Sequence, residues 1–313
     1  MNMQSNKQMI CEVLMEKAAN DRSITVLCSD SRGSGSMTDF AAKFPEQFVE
    51  IGIAEQNAVG IASGMAKCGK KVFVIAPASF LSARSYEQIK VDVSYSEAPV
   101  VLIGISAGVS YGALGMTHHS LQDIAALYAV PNIDIYVPSD RFQTKHIIEL
   151  LINNPKPAYV KVGRQAVSDI YSKEFKFNGI CPVIHGNSQC CDLLIAACGE
   201  MVMPALKAKK ILMTRGISAV VLDIFSLKPI DSSFILKAGY NAKAVLTIEE
   251  HSIYGGLGAA VAQIFSENHP KLITHMALPD SPVIAGTKEE VFHFYHLTEE
   301  GIVNQALKLL QRV

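Results

Sequence analysis

Three stretches of the chain hold residue types able to do chemistry. The first is Glu50-Ile51-Gly52-Ile53-Ala54-Glu55-Gln56-Asn57-Ala58-Val59-Gly60, where a β-branched apolar run gives way to small residues. Glu55 then sits where a strand's end meets a helix's first turn. With only Ala54, Ala58, Gly60, Ala62, Ser63, Gly64 and Ala66 around it, that helix can lie close against another backbone. Its acid is expected to be drier than a surface one, and desolvation favours the protonated form of a carboxyl. Such a group can donate or share a proton; the competing reading is an acid that complements the helix dipole. The second stretch, 29–36, sets Arg32 among glycines and serines, a cation able to hold a phosphate or simply to face solvent. The third, 106–120, is punctuated by Gly108, Gly112 and Gly115 and carries His118 and His119, the composition of a functional loop.

The elements that must position these residues alternate. Continuous apolar runs predict buried strands at 24–28, 48–53, 72–76, 100–105, 133–137 and 158–162, as in a sheet covered on both faces. Helical spacing predicts helices at 9–19, 55–68, 77–96, 121–129 and 141–153 between them. Loops after parallel strands lie at the carboxyl edge of the sheet, where ligands bind, and 29–36 and 106–120 are such loops. From 165 to 189 polar and aromatic residues mix without period, which predicts a linker. Beyond it, strands at 192–197, 219–224, 244–248 and 272–276 alternate with helices at 201–209, 232–238, 258–267 and 299–310. The expectation is an α/β protein of two domains, 1–170 and 190–313, each a mainly parallel sheet flanked by helices, joined by 171–189.

Composition narrows the function. The 313 residues are 49% hydrophobic and 18% charged with a net charge of −1, which supplies cores and leaves no electrostatic case for nucleic acid or a charged membrane surface. The apolar runs are too short to span a bilayer and the polar start is no signal peptide, so a cytoplasmic protein is expected. Seven cysteines without a zinc-ligand spacing read as reduced thiols, with Cys28 and Cys198 in apolar runs. Gly255-Gly256-Leu257-Gly258 lacks dinucleotide spacing and reads as a tight strand-to-helix turn.

Three regions resemble the transketolase and deoxyxylulose-phosphate synthase superfamily, in order and over nearly the whole chain. The stretch from Phe44-Pro45-Glu46-Gln47 through Glu55 to Ala58 is similar to its glutamate segment, and Gly112 to Asp123, with Thr117-His118, to its substrate loop. Phe225-Ser226-Leu227-Lys228-Pro229-Ile230-Asp231 and Glu249 to Gly258 resemble its carboxyl-terminal domain. The resemblance implies that the first domain binds the aminopyrimidine ring of thiamine diphosphate. Glu55 would hydrogen-bond the ring nitrogen, so that the ring's imino group removes the thiazolium C2 proton and the resulting ylid attacks a ketose carbonyl. It further implies that Phe80 and Tyr86 pack near the ring, that His118 contacts ketose oxygens, and that Arg164 grips the substrate phosphate; His119 has no such match.

Departures from the family are equally informative. Its metal-binding Gly-Asp-Gly segment occurs nowhere in this sequence. That implies the carboxyl-terminal half of a split transketolase, with Mg²⁺ and the diphosphate held mainly by an amino-terminal partner subunit, in a homodimer or a dimer of heterodimers. Leu114 replaces the acid that reads the donor sugar, Ser106 a phosphate-side histidine and Ala83 an aromatic, so the identity of the sugar phosphates does not carry over. Three functions remain open on sequence alone: ketol transfer, a β chain of a 2-oxo-acid dehydrogenase or synthase-like enzyme, and a non-catalytic scaffold.

Overall fold

A computed structural model describes residues 3–313. In the first part of the chain the strands are β1 (Met3–Ser5), β2 (Ile24–Cys28), β3 (Phe48–Glu50), β4 (Lys71–Pro77), β5 (Val100–Ile105), β6 (Asp134–Tyr136), β7 (Ala158–Lys161) and β8 (Ala166–Ser168). The second part supplies β9 (Val183–His185), β10 (Leu193–Ala197), β11 (Ala219–Asp223), β12 (Ser226–Lys228), β13 (Ala244–Ser252) and β14 (Leu272–Leu278). One sheet runs β12-β6-β7-β5-β4-β2-β3, parallel except for β12 at its edge, and the other runs β14-β13-β10-β11-β9, parallel except for β9. The class is therefore α/β with two mainly parallel sheets, each flanked by helices.

The physical reason is legible in the strands. Every residue of β2, β5 and β10 is buried and, Thr25 apart, apolar, so each strand needs helices above and below it. Helix Asn6–Ala18 is started by a capping box, in which the Ser5 hydroxyl accepts from the Gln8 amide and the Gln8 side chain accepts from the Ser5 amide. Helix Glu55–Lys67 buries Ala58, Val59, Ala62 and Ala66 against the sheet, and Gly69 ends it at a φ of 87°.

Three expectations are corrected. The helix expected over 77–96 is broken into Ala78–Arg84, Tyr86–Gln88 and a wider-turned segment, Ile89–Tyr95. There the Ser63 hydroxyl donates to the Asp92 carbonyl, and the amides of Ser96 and Ala98 reach back five residues, to Val91 and Val93. The stretch read as a linker is built into the fold. β8 pairs antiparallel with β1, β9 pairs with β11, and the amides of Ile170 and Tyr171 both donate to the Asp140 carboxylate at 2.8 Å. Tyr171 also donates to the buried Asp223 carboxylate at 2.7 Å, and its ring lies against Phe175 and Phe177. Finally, β12, which lies between two elements of the second sheet, crosses to the first and adds to β6, with Phe225 buried beside it. No described helix is long and apolar enough to cross a membrane.

Candidate active site

Glu55 opens its helix and is 4% exposed. It is not a lone acid, however. Arg84, at the end of helix Ala78–Arg84, donates from Nη1 to both carboxylate oxygens at 3.1 and 3.0 Å. The sequence reading missed this pairing, because two helices distant in sequence create it. Phe80 lies one turn before Arg84, whose guanidinium carbon stands 4.0 Å from the centre of the Phe80 ring. The edge of that ring meets His118 at 5.2 Å between centroids, and His118 in turn meets Tyr111 at 5.4 Å. Tyr111 carries the Arg164 guanidinium over its face at 4.6 Å. Glu55, Phe80, His118 and Arg164, drawn from four separate segments, thus stand in one continuous line, with Arg84 and Tyr111 as the links.

Beside this line an open cleft of about 730 Å³ is lined by Phe80, Arg84, Tyr86, Met116 and His119. Tyr86 is 36% exposed there, leaving ring surface free for a planar ligand. His119, read as a bystander, is buried and hydrogen-bonds the Gly112 carbonyl through Nε2, while its Nδ1 has no protein partner. Burial lowers its pKa, and the Gly112 contact only partly offsets that. The His118 Nδ1 lies 2.9 Å from the Thr117 hydroxyl.

Arg32 is not drawn into the line. It is exposed, and its charge is felt at the Cys28 thiol. Its loop does reach the far end of the site through another cation, since Lys7 donates to the Ser34 carbonyl at 2.8 Å. Burial and then the charge of Arg164 hold the Lys7 pKa down, so two cations converge where an anion would relieve both. Lys7 gave no signal in the sequence beyond its place just after the Ser5 cap. Of the three departures, Leu114 is 54% exposed on the loop, Ala83 is exposed on its helix and Ser106 is buried at a φ of 53° with its hydroxyl unpartnered.

A second polar cluster lies beneath the loop, between the two sheets. Lys161 donates to Asp123 at 2.9 Å and Tyr159 to the other oxygen at 2.7 Å, all three being buried. Asp123 stays below the ordinary carboxylate range: burial opposes this, but the charges of Lys161 and His251 outweigh it. Lys288 pairs with Glu200. Burial pushes Glu249 and Glu250 each up to about 7, and burial, then the charge of Lys161, lowers His251 to about 4. Glu249 also accepts from the amides of Leu257 and Gly258, which explains the glycine turn as the seat of a buried carboxyl.

Comparison with known proteins places this geometry. The family model of the transketolase pyrimidine-binding domain matches residues 3–169, and that of the transketolase C-terminal domain matches residues 186–302. The chain belongs to the transketolase family. One subunit of the apulose-4-phosphate transketolase of Phocaeicola vulgatus is 45% identical over 314 residues, covering 99% of each chain. The 1-deoxy-D-xylulose-5-phosphate synthase of Halothermothrix orenii is 33% identical over 309 residues, which is 97% of this chain and 48% of the synthase. A solved structure described as a split-gene transketolase, an inactive β4 tetramer, superposes with a TM-score of 0.88 at 32% identity over 98% of both chains. The chain thus corresponds to the pyrimidine-binding and C-terminal domains together, the portion of a transketolase found on one subunit when the enzyme is split.

Proposed function

We propose that this chain is the C-terminal subunit of a split, thiamine-diphosphate-dependent transketolase, moving a two-carbon ketol unit from a ketose phosphate to an aldose phosphate. The observation that carries the reading is the line Glu55–Arg84–Phe80–His118–Tyr111–Arg164, which joins a buried acid, aromatic surface, an imidazole and a free guanidinium in one site. The cleft beside it fits a planar ring, because Phe80 and Tyr86 offer aromatic surface there. Thiamine diphosphate, when bound, supplies the nucleophilic carbon that lets a carbon–carbon bond beside a ketone break.

Each residue then has a task. Glu55, buried at the head of its helix, faces the ring nitrogen as its hydrogen-bonding partner. Arg84 fixes the carboxylate's orientation. His118 hydrogen-bonds the sugar oxygens on which charge develops. Arg164, with Lys7 nearby, anchors the sugar's phosphate, for which the guanidinium fork is suited; Arg32, on the adjoining loop, adds positive potential at the same end. A separate amino-terminal partner holds the diphosphate through Mg²⁺, and the working assembly is a homodimer or a dimer of heterodimers in the cytoplasm.

Near-equal length and 45% identity to one chain of a two-subunit transketolase support ketol transfer over the synthase reaction. The exposed apolar Leu114 on the loop supports an unusual donor, and apulose 4-phosphate, named for that relative, is the first to test. The test mixes this chain with its amino-terminal partner, thiamine diphosphate and Mg²⁺, and assays transfer from a panel of ketose phosphates. Glu55→Gln should lower the rate by about 10²–10⁴-fold with the fold intact. No turnover with any donor would leave the scaffold reading, near-normal activity of the variant would remove Glu55 from its role, and full activity without the partner would refute the split site.

A further inference from the structure

The loop that carries His118 is held from outside its own domain. Its two ends are closed by the first domain: Gly108 and Ser120 exchange both main-chain hydrogen bonds, at 3.2 and 2.8 Å, and the Ala107 amide donates to the Val162 carbonyl. Between them, the main chain of residues 109–118 makes two hydrogen bonds to groups beyond the loop among the described residues, and both go to the second domain. The Val109 amide donates to Glu250 Oε1 at 2.8 Å, and the Gly286 amide donates to the Gly112 carbonyl at 3.2 Å. Just past the loop, the Ser252 amide donates to the Leu121 carbonyl at 2.9 Å, and the Ala125 amide donates to His251 Nε2 at 3.3 Å. Residues 250–252, at the end of β13, therefore grip the loop and the helix that follows it.

The loop's glycines record the same contact. A Cβ at Gly108 would overlap the carboxyl group of Glu250, and one at Gly112 would overlap the Gly286 carbonyl. Gly108 also needs its φ of 62° to turn the Val109 amide toward the carboxylate. Glu250 is itself fixed: Lys161 donates to its carbonyl at 3.3 Å, and the charges of Lys288 and Glu200 bear on its carboxyl.

We propose that Glu250 is a positioning residue for the His118 loop, so that the second domain, which touches neither Glu55 nor its arginine, sets the geometry of the substrate end of the site. The inference concerns the loop's position and rests on the transferase reading only for what that position is used for. A merely structural Glu250 would contribute to global stability without selective effect on 106–120.

The experiment measures amide hydrogen exchange on the full chain for wild type, Glu250→Gln, Glu250→Asp and Glu250→Ala. Gln retains an oxygen where Val109 needs an acceptor, whereas Asp keeps the charge but falls one methylene short. Peptides covering 106–120 should exchange about tenfold faster in the Asp and Ala variants and near the wild-type rate in Gln, with β4 and β5 unchanged. Should the Ala variant not fold, the Asp variant decides. Equal acceleration throughout the chain, or a loop rate within about twofold of wild type in the Asp variant, would overturn the proposal. In the reconstituted enzyme the Asp variant should raise KM for the ketose phosphate and lower kcat, with the concentration dependence on thiamine diphosphate unchanged; a change confined to the cofactor dependence would also count against it. A wild-type enzyme inert toward every ketose phosphate would refute the transferase reading and leave the exchange result to judge the loop's anchor.

Discussion

Lys161→Met isolates the buried charge pair under the loop 106–120. Lys161 is 5% exposed and the Asp123 side chain 0%, with 2.9 Å between charged atoms. Met matches the length of the lysine stem, so the substitution removes the ammonium with little change in packing. Asp123 keeps the Tyr159 hydroxyl at 2.7 Å but loses its cation, and the carbonyls of Ser120 and Glu250 lose a donor at 3.2 and 3.3 Å. Removing one partner of a buried pair costs about 3–5 kcal/mol, because the remaining charge has no water to replace it. The variant can escape by protonating Asp123, and carrying a carboxyl from about pH 4 to neutrality costs about 4 kcal/mol, so the two routes give the same magnitude. Against a total stability of about 5–15 kcal/mol this is a large fraction. The sign with pH follows: a depressed Asp123 pKa contributes stability that is present above about pH 4 and lost as pH falls through the folded value. In Lys161→Met burial is no longer opposed by that cation, so the loss relative to wild type should be largest near neutrality and shrink as pH falls below about 4, where Asp123 is protonated without cost. Urea unfolding at pH 7.5 supplies the measurement, in a cycle with Asp123→Asn and the double variant. The double variant should be more stable than the sum of the single losses by at least about 2 kcal/mol, since neither buried charge is then left alone. A loss below about 1 kcal/mol for Lys161→Met, or additivity within about 0.5 kcal/mol, would refute the reasoning.

Three further outcomes are expected. Arg84→Met should change stability by less than about 1 kcal/mol, because the arginine is 46% exposed, yet lower the transfer rate about tenfold or more by releasing Glu55; a stability loss matching the loss of rate would make the pair structural. Burial, opposed by hydrogen bonds from Tyr171, Ser139 and Gln143, pushes Asp223 up to about 7, so the stability it contributes is complete below about pH 4 and lost as pH rises through 7. Asp223→Asn should narrow the stability difference between pH 5 and pH 8 by about 1 kcal/mol or more, and an unchanged difference in urea midpoints would refute that. Of the free thiols, Cys68 and Cys190 are exposed, Cys181 is half-covered, and Cys11 and Cys28 are buried and pushed up to about 11 and about 12, with burial as the main cause. Ellman's reagent should therefore titrate Cys68 and Cys190 rapidly in the native protein, and fast reaction at Cys28 would show that β2 opens.

The first sheet was legible because a parallel strand covered on both faces must be mostly apolar: β5 is so throughout, β2 is so apart from Thr25, and β4 is so after Lys71. The position of Glu55 was legible for a related reason: small residues after an apolar run leave few alternatives to a close-lying helix. The ordering of 165–189 was not, since its partners are β1, β11 and Asp140, and nothing local in that stretch names them. Arg84 and Lys7 were hidden likewise, because a surface cation and an active-site cation read the same until the fold places an acid or another cation beside them.

The loop glycines have a cause that composition does not show. Glycine in a loop beside histidines suggests room for a ligand or freedom to move, and that composition marked 106–120 as a functional loop. In the structure Gly108 and Gly112 are small because Glu250 and the Gly286 carbonyl press against them from the second domain. Gly33, in the neighbouring Arg32 loop, has nothing within 4 Å of where a Cβ would stand and answers to no such contact. Composition alone makes these positions equivalent, yet of the three only Gly108 and Gly112 lie against atoms of the second domain. A cluster of carboxyls meets at that boundary. Asp123, Glu200, Glu249 and Glu250 gather around Lys161 and Lys288, and burial, only partly offset by those cations, drives Glu249 and Glu250 toward neutrality while they hold amides of the helix at Leu257 and of the loop at Val109. A domain whose role was only to support assembly would have no need to gather that much charge under the loop that carries His118.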